Sequence, residues 1–283
     1  MVQSHSAFEK KTTFSKEKYL KRKEQKFLRR FTPVSIGTRE LVEYYLDKDS
    51  RKILDISVES VGLLMSLANV RPGGKYLVID DTCGLVTSAI MERTAGEGMI
   101  VVAHENEHPH LDALRFMNYS EGLCSRMIKK VNLYQLFYPE EEEYMPEMAP
   151  EELSAMKSSR RGTYYRRLNR QAELTEINRL FSESGYDALI VASTLNAYTL
   201  IPKLIPAVGG SRPVVVFDDS KETLIQTSLL LQKDHRFLAP TIHETRCRPY
   251  QSIPGRIHPV MTMRDGGGFI MSGSRVFPTE CNA

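Results

Sequence analysis

The sequence predicts an α/β fold: a Rossmann-like, seven-stranded, mostly parallel sheet with helices on both faces, preceded by a basic N-terminal helix. Three observations predict it. Short apolar runs, each long enough for a buried strand, alternate with helix-like segments. The first strong run, 76–79, passes through Asp80-Asp81-Thr82-Cys83-Gly84 into a helical segment at 88–93. That succession of strand, tight turn and helix is where doubly wound domains bind nucleotides. The last third holds two further strand-like segments, 241–246 and 268–276, which close the sheet as a pair.

Taken in order, residues 10–30 hold ten Lys or Arg, with Lys16, Lys18, Lys21, Arg22 and Lys23 the densest cluster. Ser15 is the expected N-cap. Tyr19, Phe27 and Phe31 fall on one helical face, so this helix is either a basic surface for RNA phosphates or a solvated helix docked by its apolar edge. Segments 38–46 and 53–68 read as helices, and 99–103 as the second strand. Glu105 follows that strand, 21 residues after Gly84, where an acid would hold a ribose. His104, His108 and His110 lie near it, but no partner ligands can be named, so they read as surface polar residues rather than a metal site. Pro109 suits the first position of a helix running to about Tyr119. A third strand is expected at 127–131.

Residues 139–163 break the pattern. An acidic block, Glu140 to Glu143, precedes Pro146, Pro150 and a Ser-Ser-Arg-Arg-Gly stretch, which together read as a mobile surface insertion. Its end and the residues beyond it are basic and interleaved with aromatics: Arg160, Arg161, Tyr164, Tyr165, Arg166 and Arg167. Arginine beside aromatic rings suits phosphate contact and base stacking; the alternative is a helix start with tyrosine packed inward. Strands are expected at 186–192 and 211–217, separated by a helix broken at Pro202 and Pro206, and a helix spans 221–232. The loop between the last two strands carries Arg246, Arg248, Arg256 and Arg264. The expected organisation is a basic helical lead-in over 1–70 and a methyltransferase-like domain over 71–283.

The turn after the first strand carries the functional question. An adenosylmethionine site of this fold has an acid there, followed by glycines at alternate positions. With Asp80 as the acid, those positions fall on Thr82, Gly84 and Val86, so one of three is glycine. Glycine lets the backbone turn tightly and a ligand approach it; Thr82 and Val86 instead place β-branched side chains there. The frame of a cofactor loop is present without its hollow. The whole chain carries a net charge of only +3, unevenly spread. Four cysteines, Cys83, Cys124, Cys247 and Cys281, lack metal-type spacing and read as reduced thiols. No run approaches the roughly 18 apolar residues of a membrane span, and the N-terminus has no signal-peptide core.

Several longer motifs carry a resemblance. His243-Glu244-Thr245-Arg246-Cys247-Arg248-Pro249-Tyr250-Gln251-Ser252-Ile253 is one, with His258-Pro259-Val260-Met261-Thr262-Met263 beyond it. Ser15-Lys16-Glu17-Lys18-Tyr19, His104-Glu105-Asn106-Glu107-His108 and Ser211-Arg212-Pro213 are others. Through them the chain resembles the non-catalytic subunit of the eukaryotic tRNA (adenine-58-N1) methyltransferase along nearly its whole length. The resemblance implies a nuclear heterotetramer of two non-catalytic and two catalytic subunits, both methyltransferase-like. It implies that this subunit helps hold tRNA and that the homologous catalytic partner binds adenosylmethionine, with no cofactor on this chain. In the catalytic paralogue the fourth strand ends in an Asp; here that position is Ala192. Family members begin with a β-rich domain, and on this resemblance the chain starts at the linker after it. Two alternatives compete: a purely structural partner that stabilises the catalytic subunit, and an active adenosylmethionine-dependent RNA methyltransferase.

Overall fold

The computed structural model describes residues 8, 10–142, 144, 146, 148, 149, 153, 156–253, 255–261, 263, 264 and 266–278, without the side chains of residues 25, 253 and 256. It contains two units, 1–35 and 36–283. The first holds α1 (Thr13–Phe27). Thr12, not Ser15, caps it: the Thr12 hydroxyl accepts from the Ser15 backbone N–H at 3.4 Å, so the helix starts one turn earlier than expected.

The second unit is organised around β1 (Lys75–Asp80), whose apolar run is buried from Tyr76 onward. It pairs in parallel with β2 (Met99–His104) and β4 (Ala188–Ala192), in the register Leu77 to Val101 and Leu77 to Leu189. β3 (Ile128–Asn132) extends one side and β5 (Pro213–Asp218) the other. β6 (Phe237–Glu244) and β9 (Phe269–Arg275) complete a seven-stranded sheet of order β3-β2-β1-β4-β5-β9-β6.

Because successive strand residues point to opposite faces, the sheet divides its core in two. Tyr76, Val78, Ile190 and Phe217 pack with residues of α2 (Thr38–Lys48), α3 (Val58–Leu67) and α4 (Leu85–Arg93). Leu77, Ile79, Leu189 and Val216 face the other layer, built by α7 (Ser158–Ser182), α8 (Ala197–Leu204) and α9 (Lys221–Leu231). Two short helices lie between these layers in sequence, α5 (Glu121–Met127) and α6 (Leu133–Phe137). Since α2 and α3 bury Leu41, Val42 and Leu64 in the first core, residues 36–70 belong to the sheet-bearing unit rather than to a separate lead-in.

Four further sequence expectations change. The helix expected from Pro109 is instead a short 3-10 helix, Asp112–Met117, ended by Asn118 at φ 53°. Its Ala113 N–H donates to the Cys83 carbonyl at 2.9 Å, and this tertiary bond takes precedence over continued α-helical pairing. The loop after β6 contains a hairpin of β7 (Tyr250–Ile253) and β8 (Arg256–Pro259), turned at Gly255 with φ 75°. The apolar segment 268–276, which the sequence offers as a candidate surface for pairing with a second chain, does not lie at the sheet's rim: β9 sits between β5 and β6, antiparallel to both. The basic half of the expected insertion is the first part of α7, a 25-residue helix. Residues 143, 145, 147, 150–152, 154 and 155 of that insertion, and Cys281, lie outside the described residues.

Candidate functional site

At its carboxyl end β1 lies beside β4, with Asp80 level with Ala192. The Asp80 side chain turns inward and is buried. It accepts four hydrogen bonds, from the Thr82 N–H (2.9 Å) and hydroxyl (2.6 Å) and the Thr87 N–H (2.8 Å) and hydroxyl (2.7 Å). Burial pushes its pKa up, and these four bonds pull it partly back. The neighbouring Asp81 is also engaged, accepting from the Ser193 hydroxyl at 2.5 Å and the Thr194 N–H at 3.0 Å. Both carboxylates thus tie loops together.

Thr82, Val86 and Ala192 are fully buried. Gly84 caps α4 at φ 82°, a left-handed conformation that favours glycine. Its open face is filled from within the chain: a Cβ placed on Gly84 would lie 2.7 Å from the Leu111 Cα. The segment beyond β2 is therefore folded onto the turn where a cofactor would approach. Glu105 is exposed, while Asn132 ties down its carbonyl (3.2 Å) and that of Asn106 (3.0 Å). Burial lowers the pKa of His104, whose Nδ1 lies 2.7 Å from the Asn106 carbonyl oxygen. Among the described residues no cluster of His, Cys, Asp or Glu is arranged to hold a metal ion. The residues around the turn do not fit adenosylmethionine, since Leu111 covers Gly84 and Ala192 offers no carboxylate; Thr82, bonded to Asp80, and Val86, in the core, pack inside rather than filling the hollow as the sequence suggested. Sequence reasoning missed Leu111 and Thr87. A threonine one turn into the helix was a readable signal for Thr87, whereas nothing local marked Leu111.

The basic residues belong to other elements. On α1, Lys18, Lys21 and Arg22 are exposed, Lys16 and Lys23 half-exposed. Lys23 lies over the rings of Tyr19 (5.4 Å) and Phe27 (5.1 Å), and Lys16 over Phe8 (5.9 Å). On α7, Arg160, Arg161, Tyr165, Arg166 and Arg167 are exposed, within the first three turns. Tyr164 is not: it is 5% exposed, and its hydroxyl accepts from the Met148 N–H at 3.0 Å. It is covered by the segment that precedes the helix, where Met148 and Met156 border the same space, so it is not available for base stacking. Arg170 is committed to structure, donating to the Lys130 carbonyl at 2.6 Å and lying 3.6 Å from Glu173. Arg166, Arg167 and Tyr144 border a cavity of about 700 Å³ beside α7. Arg246 and Arg248 are exposed in the connection from β6 to the hairpin.

Fold and site together define a class: a methyltransferase-fold chain whose cofactor turn is closed by its own side chains. A model of the Gcd10p family matches residues 1–159. A relative from Debaryomyces hansenii is 50% identical over 281 residues, covering 99% of this chain and 59% of its own length. One from Eremothecium gossypii is 47% identical, covering 100% of this chain and 64% of its own. A third, from Schizosaccharomyces pombe, is 32% identical and matched over 69% of its length. All three are named "tRNA (adenine(58)-N(1))-methyltransferase non-catalytic subunit TRM6". The chain belongs to the Gcd10p family, and it spans less than two thirds of the first two relatives' lengths.

Solved structures agree on the fold. The tRNA methyltransferase TrmI from Aquifex aeolicus superposes with a TM-score of 0.55 at 14% identity, covering 88% of this chain and 78% of its own. A SAM-dependent O-methyltransferase from Thermotoga maritima gives 0.55 at 13%, covering 85% and 72%.

Proposed function

We propose that this chain is the methyltransferase-like part of a non-catalytic, tRNA-binding and scaffolding subunit, acting in a complex that methylates N1 of adenine 58 in tRNA. The observation that carries the reading is the closed turn at 80–86, in a chain about half identical to relatives named as that subunit. With Leu111 over Gly84 and alanine at 192, this chain binds no adenosylmethionine and supplies no acid or base. A homologous catalytic methyltransferase subunit binds the cofactor, and the two kinds of chain assemble in the nucleus as a heterotetramer. Among the described residues no helix is long and apolar enough to cross a membrane.

Because β9 is interior, pairing falls on the open edge of β6 and on the hairpin beyond it, where Leu238, Tyr250 and Ile257 are exposed. An edge strand offers unpaired backbone groups that a second sheet can complete. The tRNA contact rests on Arg160, Arg161, Arg166 and Arg167, on the basic face of α1, and on Arg246 and Arg248. Lysine and arginine displace counterions from RNA, so binding weakens steeply with salt.

The test is tRNA affinity of the assembled complex at two salt concentrations, for wild type and for Arg166→Ala/Arg167→Ala. The double variant should bind more weakly with a shallower salt dependence, while adenosylmethionine binding by the partner is unchanged. Equal affinities with parallel slopes would remove this cluster from the interface and leave the purely structural role.

A further inference from the structure

The 3-10 segment that covers the lost cofactor turn has an outer side. There Phe116 lies against Tyr44 of α2, ring centroids 5.8 Å apart, although the two residues are far apart in sequence. Tyr45 backs both rings edge-on, at 5.5 Å from Tyr44 and 6.4 Å from Phe116, and is itself buried. Tyr44 and Phe116 remain 41% and 43% exposed. They border a recess of about 420 Å³ with Lys48, Lys52 and Arg115 on its rim. Asp49 and Asp112 also line it, Asp112 lying 3.8 Å from Arg115. Among the described residues neither Lys48 nor Lys52 has a carboxylate within ion-pair distance.

We propose that this recess takes an unstacked nucleobase of the RNA, stacked on Tyr44 and Phe116, with the adjoining phosphate on Lys48 and Lys52. The inference rests on the tRNA-binding reading above and adds a site to it. Two exposed rings held rigid by a third are a costly surface to leave in water, and any base can cover them because every base has an apolar face. The rim decides between occupants. Lys52, and Lys48 held beside the ring by its bond to the Tyr44 hydroxyl (2.6 Å), carry no carboxylate counter-charge among the described residues, so they complement a phosphodiester and would be left unmatched by an apolar protein surface. The cover over the cofactor turn thereby gains a use on its outer side: closing the hollow orders the segment that presents Phe116 and Arg115.

The experiment uses the complex of the full subunit with its catalytic partner and an unmodified tRNA transcript. Tyr44→Leu/Phe116→Leu keeps apolar bulk and removes both rings. Affinity should fall about 5- to 150-fold, the range of one lost base stack, with the salt slope unchanged. Tyr44→Phe, which keeps the ring and releases Lys48 from the Tyr44 hydroxyl, should bind at least as tightly as wild type. Lys52→Ala should flatten the salt slope by about 0.7 to 0.9, one phosphate's worth. Photocrosslinking of wild type with 5-iodouridine-substituted tRNA provides a readout independent of variant folding, and should label the peptide carrying Tyr44 or Phe116. Three results overturn the proposal: wild-type affinity in the double leucine variant, no crosslink in either peptide, or loss of the catalytic partner from the variant, which would make the recess a protein contact. If the wild-type complex binds no tRNA, the functional reading falls as well as this one.

Discussion

Replacing Thr82 with glycine restores one of the two missing glycines of the cofactor turn, at a cost set by the bonds that threonine makes. The Thr82 hydroxyl donates to Asp80 at 2.6 Å and accepts from the Val86 N–H at 3.3 Å, both in the buried interior. A hydrogen bond to a charged acceptor contributes about 1.5–3 kcal/mol. Glycine adds a further ~0.5–1 kcal/mol through the greater entropy of the unfolded chain. Thr82→Gly should therefore cost about 3 kcal/mol, which in a unit of this size lowers Tm by roughly 6–12 °C. It should gain no cofactor binding, because the Leu111 Cα still lies 2.7 Å from where a Gly84 Cβ would be, and Ala192 still lacks a carboxylate. Differential scanning calorimetry measures the first effect and isothermal titration with adenosylmethionine the second. Micromolar binding by Thr82→Gly would refute the argument that the hollow is closed by the chain's own packing. An unchanged Tm would refute the role given to the Asp80 network.

The same geometry sets three further outcomes. Gly84→Ala should destabilise by about 2 kcal/mol, since alanine is strained at φ 82° and its Cβ would meet Leu111, and exchange protection of the Ala113 amide should fall with it. Tyr164→Phe should cost about 1 kcal/mol, for the lost bond to Met148, and Tyr164→Ala about 3–5 kcal/mol by chemical denaturation. Neither should alter tRNA affinity while the complex stays folded. Burial, reinforced by Asp219, pushes the Asp218 carboxyl up to about 6. The folded state therefore holds that proton more tightly than the unfolded one, whose pKa is about 3.9, and stability falls as pH rises from about 4 to about 6. Asp218→Asn should remove the penalty, which solvent access limits to about 1 kcal/mol near neutral pH. Its gain over wild type should vanish below about pH 4 in melts across that range.

Much of the fold was legible because a parallel strand buried on both faces needs an unbroken apolar run, and 76–79, 99–103, 188–192 and 213–217 supply one each. That Thr82 and Val86 stand where a cofactor turn has glycine was equally plain, since backbone freedom is a property of single residues, while the comparison at Ala192 came from the family resemblance. The basic run around 160–167 was visible as charge. What covers a hollow is not a local property. Leu111 fills the space over Gly84 through a contact made only when the segment after β2 folds back on the turn after β1. Tyr164 is covered because the segment around Met148 folds back on the start of α7, which the alternation of charge and ring in the sequence does not determine. The position of β9 between β5 and β6 depends on which strand it pairs with, and an apolar alternation serves an inner and an outer strand alike. Sequence thus determined which residues stand at the turn and at the end of β4, because those are read one by one. Only tertiary packing decided which surfaces remain open, because exposure belongs to pairs of segments brought together across the fold.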